Sequence, residues 1–84
     1  MDISNKKALV FGGTSGIGLA TCDLLVEMGA EVIAISREPE KAKGKSHNNI
    51  TLEKCDVREE NQLNQVFKKY APFDILVSAA TGGT

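Results

Sequence analysis

The fold is decided by the stretch Phe11-Gly12-Gly13-Thr14-Ser15-Gly16-Ile17-Gly18. It follows an apolar run at residues 8–11 and precedes a helical pattern that Gly29 ends. A helix N-terminus carries unpaired N–H groups and a partial positive charge, so a phosphate binds there when no side chain blocks its approach. Glycines between a strand and a helix therefore predict a loop that holds the pyrophosphate of a dinucleotide. The alternative is a turn that needs glycine only for backbone freedom.

Outward from this loop, four apolar runs alternate with helical patterns. The runs lie at residues 8–11, 32–35, 50–53 and 75–77. All but the third are continuously apolar, which is typical of parallel strands covered on both faces. A short helix is also expected near residues 39–43. The pattern β-α-β-α-β-α-β predicts an α/β protein, the N-terminal half of a Rossmann-type doubly wound parallel sheet with strand order 3-2-1-4.

Two of the helices are predicted from apolar residues at helical spacing. The first stripe comprises Ile17, Ala20, Leu24 and Met28, widened by Leu25, and the second comprises Leu63, Val66, Phe67 and Tyr70. Asp56 and Glu59 have the spacing of a capping box at the start of the second of these helices. Pro72 follows that helix and predicts its end.

Composition excludes several classes of function. The chain has 84 residues, a net charge of −1 and no apolar stretch of membrane-spanning length, so neither nucleic acid nor a membrane is an expected partner. The N-terminal residues lack the apolar segment of a secretory signal. Cys22 and Cys55 match no metal-ligand spacing, so no metal site is predicted. They are interpreted as reduced packing residues of a cytoplasmic protein.

The spacing Gly12-x-x-x-Gly16-Ile17-Gly18, followed by Leu19-Ala20, resembles the TGxxxGIG pattern of the short-chain dehydrogenase/reductase family. Phe11 stands where that family has threonine. The resemblance implies an oxidoreductase whose glycine loop holds a nicotinamide dinucleotide. The residues predicted to bind the cofactor in this loop are Gly12, Thr14, Ser15, Gly16, Ile17 and Gly18.

The end of the second strand predicts which dinucleotide is bound. An acidic residue in this region binds the ribose 2′-hydroxyl of NAD, but the chain reads Ala34-Ile35-Ser36-Arg37 here. A guanidinium holds a 2′-phosphate that a carboxylate would repel. Ser36 and Arg37 therefore predict NADP in preference to NAD. The alternative is that Arg37 is an ordinary solvated surface residue.

The resemblance extends to the ends of the third and fourth strands. It implies that Asp56 contacts the adenine amino group and Val57 the ring edge, whereas a helix cap alone would also explain Asp56. Residues 74–81 resemble the family's D-x-L-V-N-N-A-G, with Ser78 and Ala79 replacing the two asparagines. Ser78, Ala79 and Ala80 are predicted to border the cofactor. A strand followed by a loop of small residues is the alternative.

No catalytic residue is predicted in the chain, because the family's tyrosine-x-x-x-lysine pair has no match. The single tyrosine is Tyr70, and the position four residues on is Asp74. We expect residues 1–84 to be the N-terminal part of one Rossmann domain that continues further, because strand four would otherwise be an exposed apolar edge.

Three functions remain open. The resemblance implies first an NADP(H)-dependent oxidoreductase that transfers hydride between the nicotinamide and a carbonyl or hydroxyl carbon of a small-molecule substrate. A homo-oligomer is possible for it. The second is a family member with altered chemistry, such as an epimerase, or with no chemistry left, which the Ser78-Ala79 replacement leaves open. The third is a non-catalytic half-Rossmann module that binds a nucleotide or a partner.

Overall fold

The computed structural model describes residues 4–12, 16–37 and 50–78. Its elements in chain order are β1 (Lys7–Phe11), α1 (Gly16–Glu27), β2 (Glu31–Ser36), β3 (Ile50–Lys54), α2 (Glu60–Tyr70) and β4 (Ile75–Ser78). Each predicted strand is present, and each extends by at most one residue beyond either end of its apolar run. The short helix expected near residues 39–43 lies outside the described residues.

The four strands form one parallel sheet with the order β3-β2-β1-β4, which confirms the predicted topology. β1 is therefore central, between β2 and β4. Asp74 fastens β4 to the start of β1, because the Asp74 N–H donates to the Lys7 carbonyl at 2.8 Å and the Lys7 N–H donates to Asp74 Oδ2 at 2.9 Å. The parallel arrangement brings the carboxyl ends of all four strands to one edge of the sheet.

The core has two layers, one on each face of the sheet. Leu9 and Ile33 are fully buried on the face that α2 covers, and Val10 and Val32 are fully buried on the face that α1 covers. The predicted stripe of α2 is confirmed, since its four apolar residues contribute to the first layer. The two central strands are thus covered on both faces, as their continuous apolar runs predict.

The predicted apolar stripe of α1 is wrong. Ile17 and Leu24 are 81% and 56% exposed, whereas Gly18 and Cys22 are buried. Cys22 belongs to the core layer, and Leu25 packs against it. The small residues Gly18 and Cys22, four positions apart, let the helix backbone come close to the sheet. The face that carries them is therefore the buried one.

β4 is only partly covered. Ile75 and Val77 are half-buried and Leu76 is 54% exposed, so the expectation of a strand covered on both faces is not met within the described residues. The reason is position, because β4 is an outer strand of the described sheet and pairs with β1 on one side. Among residues 4–12, 16–37 and 50–78, no helix has the length and apolar character that a membrane span needs.

Candidate functional site

The turn after β1 begins the candidate site. Gly12 has a φ of 81°, a conformation that glycine adopts without strain, and its N–H donates to the Ile35 carbonyl at 2.7 Å. α1 then begins at Gly16, and its first turn contains no acidic residue. The free N–H groups of that first turn therefore meet no competing carboxylate of their own helix, which suits an anion. Thr14 and Ser15 lie outside the described residues.

The neighbouring strand ends border this turn. Phe11 is in register with Ile35 on β2 and with Ser78 on β4, so Ser78 lies beside the start of the glycine turn and is exposed. Ile17 projects into solvent from the first turn of α1. Ala79 and Ala80 lie outside the described residues. The sheet edge thus places Ser78 beside the strand end that leads into Gly12, and Ile17 lies in the first turn of the helix that follows.

The end of β2 carries an exposed cation. Ser36 is half-buried, and its carbonyl accepts a hydrogen bond from the Cys55 N–H at 2.8 Å. Arg37 follows it and is exposed. Within the part of the chain that the structure describes, the Arg37 guanidinium has no hydrogen-bond or ion-pair partner. Those described residues therefore offer no competitor to an anion that approaches Arg37 at this edge.

The segment after β3 is a tightly bonded turn. Asp56 Oδ1 accepts hydrogen bonds from the Arg58 N–H and Nε, both at 3.0 Å, and Oδ2 accepts one from Arg58 Nη2 at 2.9 Å. The Asp56 N–H donates to Gln62 Oε1 at 2.9 Å, and the Glu59 N–H donates to the Asp56 carbonyl. These bonds hold the Asp56 carboxylate in one orientation at the sheet edge.

The predicted capping box is wrong. α2 begins at Glu60 with Glu59 as its N-cap, and no side chain caps it. Asp56 lies three residues before that cap, where its carboxylate closes a local turn by accepting the Arg58 N–H. This leaves Asp56 outside the helix and at the edge of the sheet.

The charge on Asp56 is strongly stabilised. The Arg58 side chain and N–H, helped by the nearby charge of Arg37, hold the pKa of Asp56 at about 2 against its ordinary 3.8. Asp56 is therefore ionised throughout the physiological range, and its carboxylate acts as a hydrogen-bond acceptor only.

The next residue, Val57, is exposed, and among the described residues its N–H donates to no protein acceptor. A fixed acceptor thus lies one residue from a donor that no described residue accepts.

Comparison with known proteins identifies the family to which this chain belongs. The family model described as short chain dehydrogenase matches residues 6–84. The chain belongs to the short-chain dehydrogenase family.

Several relatives in that family resemble the chain over nearly its whole length. It is 32% identical over 83 residues to the 3-oxoacyl-(acyl-carrier-protein) reductase FabG of Rickettsia prowazekii, covering 95% of this chain and 34% of the relative. A solved structure described as a short chain dehydrogenase/reductase family protein superimposes with a TM-score of 0.86 at 30% identity, covering 95% of this chain and 35% of the other. A Pseudomonas aeruginosa RhlG/NADP active-site complex gives a TM-score of 0.80 at 28% identity over 94% and 36%. The chain therefore spans about a third of the length of its relatives.

This chain departs from the short-chain dehydrogenase pattern at Phe11, where that pattern has threonine. The structure explains how the larger phenylalanine fits. Phe11 is 6% exposed and lies on the α2 side of the sheet. Its ring meets that of Phe67 edge to face at 5.9 Å between centroids, and Phe67 stacks on Phe73 at 5.7 Å. The Phe11 side chain is thus a core residue that anchors α2.

Sequence reasoning missed two residues of the candidate site, Arg58 and Gln62. Both contact Asp56, one through its carboxylate and the other through its N–H. A signal for Arg58 was present, because an Asp accepts the backbone N–H two residues on in an Asx turn, and the residue at that position here is an arginine that can also pair with the carboxylate. Gln62 had no comparable signal, since its contact depends on where α2 begins.

Proposed function

We propose that the chain is the cofactor-binding part of an NADP(H)-dependent oxidoreductase of the short-chain dehydrogenase type. It would serve hydride transfer between the nicotinamide and a carbonyl or hydroxyl carbon of a small molecule, in a cytoplasmic protein. Family membership supports the reaction class. The observation that carries the choice of cofactor is Arg37, at the end of β2, where NAD-binding folds have a carboxylate. Its guanidinium is exposed and has no partner among residues 4–12, 16–37 and 50–78. Residues 1–84 would form the N-terminal part of one Rossmann domain.

In this proposal the dinucleotide would lie along the carboxyl edge of the sheet. The turn at Gly12 and the start of α1 would hold the pyrophosphate, with Gly16, Ile17 and Gly18 at the helix N-terminus. Ser36 and Arg37 would hold the 2′-phosphate. The fixed acceptor on Asp56 and the N–H of Val57, which no described residue accepts, would suit the adenine edge, which offers an amino donor beside a ring-nitrogen acceptor. When bound, the nicotinamide ring supplies or accepts the hydride.

Other predicted contacts stay part of the proposal. Thr14 and Ser15 would add hydroxyl groups near the phosphates, and Ser78, Ala79 and Ala80 would border the ribose. Tyr70 is not proposed as the catalytic acid, because its hydroxyl donates to Glu53 Oε1 on the α2 side of β3. Its role in this chain is structural.

The test compares the binding of NADPH and NADH to the wild type and to Arg37→Asp. Each good bond from a charged donor to a phosphate is worth about 1.5–3 kcal/mol, so we expect the variant to lose about 30-fold or more in NADPH affinity and far less in NADH affinity. Lys68→Asp is the matched control, since Lys68 is an exposed cation in the last turn of α2, at the opposite edge of the sheet. Equal losses for both cofactors would refute the role of Arg37, and a wild type that binds neither cofactor would refute the proposal.

A partner-binding module is the second candidate, and β4 is the observation that favours it. This outer strand presents Leu76, 54% exposed, beside a backbone edge that pairs with no strand among the described residues. Such edges pair readily with other chains. Light scattering of the purified chain distinguishes the two candidates, because a stable dimer without measurable cofactor binding would favour the module.

A further inference from the structure

The candidate site contains two guanidinium groups near one carboxylate. Arg58 binds Asp56 through a fork, with Nε on Oδ1 at 3.0 Å and Nη2 on Oδ2 at 2.9 Å. The Arg58 N–H adds a third bond to Oδ1 at 3.0 Å. Both carboxylate oxygens are thus occupied by one residue.

Arg37 lies at the neighbouring strand end. Ser36 is in register with Lys54, and the Cys55 N–H donates to the Ser36 carbonyl at 2.8 Å. The residues that follow, Arg37 and Asp56, therefore emerge side by side from the same edge of the sheet. Arg37 lies close enough to Asp56 for its positive charge to help lower the pKa of that carboxyl. Even so, among the described residues Arg37 pairs with nothing, because Arg58 holds the carboxylate.

We infer that Arg58 is a specificity-determining residue that acts through Asp56. By pairing with the carboxylate, Arg58 neutralises a negative charge that would otherwise repel a 2′-phosphate and draw Arg37 away from it. Asp56 can then remain at the adenine end of a cofactor that carries a phosphate on the adjoining ribose. This inference rests on the proposed function, since it concerns the selectivity of the same site for NADPH over NADH.

Direct binding of the phosphate by Arg58 is the competing explanation, and the geometry argues against it. The Nε and Nη2 groups of Arg58 are already directed at Asp56, so one of the two edges with which a guanidinium binds oxyanions in a fork is occupied. No group among the described residues binds the Arg37 guanidinium. The two explanations predict different results when Asp56 is also changed.

The experiment measures the dissociation constants of NADPH and NADH by titration calorimetry for the wild type, Arg58→Gln, Arg58→Lys, Asp56→Asn and the double variant Asp56→Asn/Arg58→Gln. The ratio of the two constants is the quantity compared, because a change in adenine binding alters both cofactors equally and cancels. Lys68→Gln is the matched control for the loss of one positive charge. Circular dichroism confirms that each variant is folded.

We expect Arg58→Gln to lower the preference for NADPH by about 5-fold, the order expected for one uncompensated charge near a phosphate close to the protein surface. The double variant should recover the wild-type preference within about 2-fold, because it removes the charge that Arg58 balances. Arg58→Lys should retain most of the preference, since it keeps the positive charge. Lys68→Gln should leave the ratio unchanged.

Two results would overturn the inference. An unchanged ratio in Arg58→Gln would show that Asp56 needs no neutralisation. A double variant as impaired as Arg58→Gln would show that Arg58 binds the phosphate itself. Failure of the proposed function looks different, because the wild type would then bind neither cofactor or would show no preference that depends on Arg37.

Discussion

Replacing Tyr70 by Phe removes one hydroxyl group from the contact between α2 and β3 and leaves the ring in place. That hydroxyl donates to Glu53 Oε1, and Lys69 Nζ donates to the same oxygen at 2.8 Å. Lys69 Nζ also lies 5.4 Å from the centre of the Tyr70 ring, a contact that phenylalanine preserves. The substitution therefore isolates one hydrogen bond to a carboxylate.

The size of the effect follows from the exposure of that carboxylate. A hydrogen bond to a charged group contributes about 1.5–3 kcal/mol when water is excluded. The Glu53 side chain is 21% exposed, so water partly replaces the lost hydroxyl, and we expect a loss of about 1 kcal/mol in the free energy of unfolding at pH 7. For a domain of 60–100 residues this lowers the melting temperature by about 4–8 °C.

The free energy that the contact between Tyr70 and Glu53 contributes to folding depends on pH in a direction that their pKa shifts fix. Hydrogen bonds from Lys69 and Tyr70 lower the pKa of Glu53 below its ordinary 4.5, so the contribution of Glu53 is complete above that value and is lost as the pH falls through the lowered pKa. Burial and the bond to Glu53 raise the pKa of Tyr70 above 10, so the contribution of Tyr70 is complete below pH 10 and is lost above the raised pKa. The difference between wild type and Tyr70→Phe should therefore be constant between about pH 5 and 10.

Thermal melts followed by far-ultraviolet circular dichroism at pH 7 and pH 3 test this reasoning. Glu53→Gln and the double variant complete a cycle that isolates the interaction between the two residues. The reasoning is refuted if Tyr70→Phe melts with the wild type at pH 7. It is equally refuted if the difference at pH 7 persists undiminished at pH 3.

Two further predictions concern stability and reactivity. Gly29→Ala should lower the free energy of unfolding by about 1–2 kcal/mol in urea titrations, because Gly29 has a φ of 100° and an added Cβ would lie 2.8 Å from Ser4 Oγ; a variant of wild-type stability would contradict this. Cys22 and Cys55 should react with a disulfide reagent at pH 8 at least about 100-fold more slowly in the native protein than in urea, because both are buried and burial raises their pKa values, that of Cys22 to about 11. Rapid labelling of the native protein would show that one of these thiols is accessible.

The sheet was predictable from the sequence because its two central strands carry strong signals. The runs of β1 and β2 are short, continuously apolar and bounded by polar or glycine residues, which is typical of strands covered on both faces. The glycines after β1 and at position 29 then marked where α1 begins and ends, and Gly12 and Gly29 both adopt positive φ.

The face of α1 was not predictable from apolar periodicity. Its apolar residues surround the helix, so several stripes fit the sequence about equally well, and Ile17 and Leu24 belong to a stripe that stays exposed. The buried face depends on Gly18 and Cys22, whose small size permits a close approach that hydropathy does not measure. Tertiary packing decided between the alternatives.

The candidate site was predictable only in part. The positions of Gly12, Arg37 and Asp56 follow from the ends of their strands, because the carboxyl ends of parallel strands share one edge. The partner of Asp56 did not follow, since the residue has the spacing of a helix cap and of an Asx turn, and the choice depends on where α2 begins. Side-chain pairing at the site therefore needed the structure.

The pairing of β1 with β4 has a consequence for how the chain is made. The bond between the Lys7 N–H and Asp74 joins residues 67 positions apart. The central strand β1 therefore lacks its second neighbour, β4, until nearly the whole described chain has been synthesised. At roughly 5–20 residues per second, β1 spends about 3–13 seconds on the ribosome with one side open. During that time chaperones can bind the apolar side chains and unpaired backbone groups of β1. The order of synthesis sets how long those groups stay exposed.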